Sequence, residues 1–136
     1  MIDDPAISRV ITVASATELR SVQDVLRRMD TPPPCMLLSP DGAGCLLGPA
    51  WWRALLAQTG CVLPAFLDCG ASAGRAVEAL GLGVRHILLD GSCPQARTVG
   101  LLAGELGAVC LGARPVSHRL DLDPAPIRLE RYLRGR

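Results

Sequence analysis

The chain lacks lysine and asparagine altogether, and all fourteen of its basic residues are arginine. Without lysine there is no Schiff-base chemistry and no phosphate-binding lysine of the P-loop kind. Without asparagine there is no amide side chain of that type to stabilise an oxyanion. Aromatic residues are scarce at 3%, which removes the stacking platforms on which single-stranded nucleic acids are held. Charge of one sign is lacking too. The net charge of +1 leaves no electrostatic footprint for nucleic acid or for an anionic membrane. No run approaches the ~18 consecutive apolar residues of a membrane span. The start, Met1-Ile2-Asp3-Asp4-Pro5, is acidic and does not have the basic-then-apolar order of a secretion signal. These absences set the expectation of a cytoplasmic protein with no nucleic-acid and no membrane partner.

Apolar residues make up 49% of the 136 positions and charged residues 20%, the balance of a single globular domain with a real core. The pattern alternates strand and helix. Val10–Val13 is β-branched and reads as a strand. Ser15 or Thr17 then caps a helix running to about Met29, with Leu19, Val22, Val25, Leu26 and Met29 on one face. Thr31-Pro32-Pro33-Pro34 stops it. Cys35–Leu38 is a continuous apolar run, as in a strand buried on both faces. Ser39 to Gly48 reads as a glycine-rich loop, and Pro49 opens a helix ending near Gly60. Leu63–Leu67, Arg85–Leu89 and Ala108–Leu111 read as further strands, with helices over Ser72–Leu80 and Pro94–Leu106 between them. Connections of this length imply parallel neighbours and right-handed crossovers. The expected fold is α/β, with about five mostly parallel strands alternating with four helices. It is either like a half-(β/α)8-barrel or a doubly wound three-layer sheet, according to whether the helices share one face. Composition changes after Pro115. The expected division is an α/β domain over 1–115 and a tail or covering segment over 116–136, in which Ile127–Leu133 has helical character.

Six cysteines stand at 35, 45, 61, 69, 93 and 110, without a Cys-x-x-Cys pair. In a reducing cytoplasm they are expected as free thiols, mostly buried as small apolar residues. Three of them, Cys45, Cys69 and Cys93, each follow a strand, so a zinc site built from thiolates, or from two thiolates with Asp68, is the alternative.

Leu63-Pro64-Ala65-Phe66-Leu67-Asp68-Cys69-Gly70, followed by Leu88-Leu89-Asp90-Gly91-Ser92, resembles the class II (metal-dependent) fructose- or tagatose-bisphosphate aldolase family. The family has a proline-led strand ending Leu-Asp-His-Gly, a helix, and a strand ending Asp-Gly-Ser. The segment Pro34–Gly42 resembles the strand and glycine loop that precede them. The likeness runs from about Ile11 to Gly112 and covers only the first half of the family's barrel. It implies that Asp68 matches the family's proton-transferring aspartate and that Cys69 stands where the family has a zinc-binding histidine. Asp90 matches an aspartate that helps hold a second metal, and Ser92 the last position of its motif. The family's other two zinc-binding histidines and its late phosphate-binding loops have no counterpart here. The resemblance therefore implies ancestry and fold, and argues against aldolase activity in this chain alone.

Asp68 and Asp90 end neighbouring strands, where two carboxylates can exchange a proton or hold a metal; equally, strand-end aspartates accept loop N–H groups. Gly70-Ala71-Ser72-Ala73-Gly74, with Asp90 and His118 downstream, has the order of a nucleophile elbow and triad, although Ser72 is more simply a helix cap. Gly70, Ser92 and Arg114, with Arg75, are candidates for holding the phosphate of a small phosphorylated metabolite at helix N-termini. His86 reads as a surface or sheet-edge residue. Trp51 and Trp52 point about 100° apart on a helix, so one is expected in the core and the other at an interface. The leading expectation is a catalytically degenerate, aldolase-like half-barrel that acts by binding or scaffolding. It would pair as a homodimer to cover the apolar sheet face and the open edges. A small metal-assisted lyase using zinc and a phosphometabolite-binding regulator are the alternatives.

Overall fold

A computed structural model describes residues 8–135. The acidic start, read as no secretion signal, lies outside them. Among the described residues no helix is long and apolar enough to cross a membrane.

Strands β1 (Arg9–Thr12), β2 (Cys35–Leu38), β3 (Ala65–Asp68), β4 (His86–Leu88) and β5 (Val109–Leu111) are each followed by a crossover, except the last. The crossovers carry α1 (Ala16–Arg27), the one-turn α2 (Ala43–Leu46) with α3 (Pro49–Thr59), α4 (Ala73–Gly81) and α5 (Ala96–Glu105). Local signals set these elements. Ser15 caps α1, its hydroxyl accepting the Glu18 N–H at 3.2 Å, while Glu18 reaches back to the Ala14 N–H at 2.8 Å. Pro49 opens α3, and Gly60 closes it in the left-handed conformation. The loop expected over Ser39–Gly48 holds α2 instead. The segment expected as a tail or cover is, over the described residues 116–135, a packed part of the domain. It forms β6 (His118–Arg119) and α6 (Pro126–Leu133), a sixth βα unit whose Leu120, Leu129 and Leu133 are fully buried in the main core.

All strands are parallel, in the order β5-β4-β3-β2-β1-β6. Sequential strands that are spatial neighbours, joined by right-handed crossovers, put their helices on one face, and packing bears this out. One core cluster joins Ile11, Leu37, Leu67 and Ile87 to the buried residues of α1, α3, α4, α5 and α6. The opposite face has its own cluster of strand residues only: Val10, Met36, Leu38 and Phe66, with Leu111 against them. Of the two expected arrangements, helices packed on a single face favour the half-barrel.

The strand-only face is nevertheless buried. Its four cluster residues are 3% exposed or less, with no helix over them. The link from β5 to β6 bonds to this side of the sheet, through Arg114 to Asp68. Residues 112–117 join strands that lie at opposite edges of the sheet. A flat six-stranded sheet would separate those edges by about 24 Å, and a fully extended link of this length reaches about 23 Å. The link is not extended straight, because Arg114 turns inward to Thr12 and Asp68 and Ser117 Oγ lies 2.7 Å from Thr12 Oγ1. The sheet therefore curls, and the link straps its open side. His86 lies on this concave face, edge-on to Phe66 with ring centroids 4.9 Å apart. It is not the edge residue expected.

The sixth unit docks through aromatic contacts. Tyr132 of α6 accepts the Val10 N–H on its hydroxyl at 2.9 Å, and its ring stacks on His118 at 5.1 Å. His118 Nε2 is buried and has no partner among the described residues. Burial lowers the His118 pKa; nearby Asp123 pulls it up and Arg128 pushes it down. The unfolded chain therefore takes up this proton first. The contribution to stability is complete above the unfolded value near ~6.5 and declines as pH falls below it toward the lower folded value. Urea midpoints measured from neutral to mildly acidic pH should fall more steeply for wild type than for His118→Gln. Parallel curves would remove His118 from the account.

Candidate functional site

The C-terminal ends of the strands and the strap surround a cavity of about 380 Å³. Its charges are Asp41, Asp68, Asp90 and Arg114, and backbone at Gly42, Gly70 and Gly112 forms part of its wall. Asp68, the last residue of β3, follows Phe66 by two and so faces the concave side. It is 5% exposed. Its N–H donates to the buried Ser39 hydroxyl at 2.9 Å. Its Oδ1 accepts the Gly70 N–H at 2.8 Å, a turn that needs the positive φ of 58° at Gly70. Its Oδ2 accepts Nη1 of Arg114 at 2.8 Å.

Arg114 is the hub. Besides Asp68, its Nε pairs with Asp41 Oδ1 at 2.9 Å, and its Nη2 donates to Thr12 Oγ1 at 2.8 Å. Asp41 in turn accepts Arg119 Nη1 at 3.2 Å, and Arg119 forks onto Asp121 at 3.0 and 2.8 Å. Charges thus alternate from Asp68 through Arg114, Asp41 and Arg119 to Asp121. The Arg119 pKa is raised, chiefly by its hydrogen bonds to Asp121. Asp90 stands apart and exposed. The Ser92 N–H donates to its Oδ1 at 2.9 Å, and hydrogen bonds from Ser92 hold its carboxyl below the usual range.

Of the residues singled out in the sequence, Asp68, Gly70, Asp90 and Arg114 meet at this cavity. Ser92 is exposed and does not line it; its N–H serves Asp90. Cys69 lies on the other side of the sheet. Successive strand residues face opposite ways, so a chain that aims Asp68 into the cavity must aim Cys69 into the helix-side core, where it is fully buried. Burial, then the neighbouring Cys45 and Asp68, push its thiol up to about 12. Cys45 is exposed, its thiol donating to the Cys69 carbonyl at 3.2 Å, while Cys93 is buried with its thiol directed at Gln95 Oε1 at 3.4 Å. The thiolate trio held as the alternative does not form. Among the described residues no three His, Cys, Asp or Glu side chains are grouped to hold a metal. All six thiols are free. Iodoacetamide should label Cys45 in the native protein and Cys69 only after unfolding, because the nucleophile is the exposed thiolate. Native labelling at Cys69, read by peptide mass, would contradict its place in the core.

No family model matches the chain, and no curated protein matches it.

The other sequence candidates resolve locally. Ser72 caps α4, its hydroxyl accepting the Arg75 N–H at 3.2 Å. His118, the third member of the suggested triad, is held in β6 against Tyr132. Arg75 pairs with Glu78 on the exposed side of α4 at 2.8 Å. Trp52 is wholly buried, donating to the Ala65 carbonyl at 3.4 Å, and has no surface to give a partner. Trp51 is half-buried against it, with ring centroids 5.6 Å apart.

Two site residues were missed from the sequence. Asp41 had a readable signal: strands 2, 3 and 4 each end in or are followed by an aspartate one or two residues before a glycine, at Asp41-Gly42, Asp68-Cys69-Gly70 and Asp90-Gly91. Thr12 had none, since a threonine ending a β-branched strand is ordinary.

Proposed function

We propose that this chain is a non-enzymatic binding domain of aldolase ancestry, which holds a small polar ligand at the strap-covered mouth without turning it over. The engagement of Asp68 carries this reading. A general base needs an oxygen free to take a proton, and here one oxygen of Asp68 is bonded to Gly70 and the other to Arg114. The carboxylate fastens the strap. The metal-assisted lyase is correspondingly weakened, because Cys69 faces the core and Asp68 is occupied. Three carboxylates against one guanidinium also make this mouth a poor host for phosphate, and favour a neutral or cationic polar ligand. Six free thiols support assignment to the reducing cytoplasm.

Self-association shifts within the same reading. The concave face, which a second copy was expected to cover, already has its strand residues Val10, Met36, Leu38 and Phe66 buried. The outer edge of β5 is one surface open to a second copy, with its exposed Val109 and the exposed Leu101 of the adjoining α5.

Native mass spectrometry of reduced protein, purified without a metal-affinity step, tests the proposal. The expected result is metal-free chains retaining a small molecule without phosphate. One zinc per chain would overturn it in favour of the enzyme, and chains with neither ligand nor metal would leave only a scaffold.

A further inference from the structure

At the end of the sheet opposite the mouth, Arg9 opens β1 into a cleft of about 340 Å³. Arg134, just past the end of α6, shares that cleft, as does Thr31 of the turn before β2. Among the described residues no carboxylate lines it. Arg134 Nε pairs with Glu130 at 3.2 Å, and the exposed Asp30 next to Thr31 does not border the cleft. Arg9 has no ion pair among the described residues, and its Nε is buried without a hydrogen-bond partner. The backbone at Gly135 closes over the guanidinium: a Cβ there would lie 2.8 Å from Arg9 Nη2, and φ is +78°. The positive φ favours glycine there.

A half-buried guanidinium without an acceptor loses hydration and gains nothing in return. Compensation of the helix end explains Arg134, which follows α6. It does not explain Arg9, which stands on a strand. Two guanidinium groups, one of them also paired with Glu130, and a hydroxyl, with no carboxylate among the described lining residues, match a tetrahedral dianion, which accepts paired N–H donors from arginine. We infer that this cleft is a phosphate-binding site, with Arg9 as its principal ligand and Arg134 and Thr31 in support. A phosphoryl oxygen accepts the Arg9 donors that the fold leaves unpaired. The site is separate from the mouth and independent of any ligand there.

The test is thermal unfolding of the full chain in inorganic phosphate, against sodium chloride of equal ionic strength. Wild type should gain about 5 °C in Tm at phosphate tenfold above Kd. Arg9→Gln should lose that gain, and Arg134→Gln should keep only part of it. In phosphate-free buffer Arg9→Gln should melt no lower than wild type, since it removes a charge that has no partner. Broadening of the phosphorus NMR line of inorganic phosphate by wild type, and not by Arg9→Gln, gives a second readout that does not depend on melting. A phosphate monoester bound more tightly than inorganic phosphate would identify a metabolite as the source, and the reverse order the free anion; both keep the site. An equal gain in chloride, an equal gain in Arg9→Gln, or no gain in wild type would overturn it.

Discussion

Replacing Arg114 with methionine is expected to cost about 3 kcal/mol, at the lower end of the range for breaking a buried ion pair. For a chain of this size that is a fall of about 10 °C in Tm. The loss comes mainly from Asp68. Its side chain is 7% exposed, and without Arg114 one carboxylate oxygen has no donor and little water. Asp68→Asn keeps an acceptor for the Gly70 N–H and removes the charge, so the double variant should be milder than the two single effects added. The interaction energy read from that cycle should be about 1.5 kcal/mol or more. The corresponding cycle with Asp41→Asn should give less than about 1 kcal/mol, because the Asp41 side chain is 64% exposed and its pairing is screened. Urea denaturation of the variants measures both. Equal coupling at the two aspartates would mean that Arg114 is not anchored on Asp68, and the reading of Asp68 as a fastener would fall with it.

The second large effect lies in the last βα unit. Leu129 is fully buried against the helix-side core, and Leu129→Ala should cost about 3 kcal/mol through lost transfer energy and a cavity. Ending the chain after Pro115 removes Leu120, Leu129 and Leu133 together, along with the strand paired to the outer edge of β1 and the Tyr132 hydroxyl that takes the Val10 N–H. Such a chain should show no cooperative urea transition. A cooperative transition in it would restore 1–115 as a domain and make the last unit an accessory.

The two predictions differ in how legible they were. Arg114 stood out as a ligand candidate, but its role as a fastener depends on Asp41 and Thr12, which no local pattern joins to it. Leu129 and Leu133 lie at a helical spacing that suggested a helix. The two-residue strand before it did not register, because His118-Arg119 is too short for any alternation to show. Cys69 gives the opposite case. The family likeness placed it beside Asp68 as a metal ligand. The strand period already required neighbours to face opposite ways, and the structure obeys the period.

Residue order alone was enough for the strand–helix alternation, the caps at Ser15 and Ser72, the stop at Thr31–Pro34 and the aspartates at the strand ends. These depend on contacts within a turn or on a period of two or 3.6 residues, so the chain expresses them locally. The curl of the sheet, the place of β6 beside β1, the strap across the concave face and the charged mouth were decided only in three dimensions. The bonds that hold them run from Arg114 to Asp68 and Thr12, 46 and 102 positions away, and from Tyr132 to Val10, 122 positions away. Separations of that size are set by how far the sheet curls and how short the link is, and no window of neighbouring residues contains both.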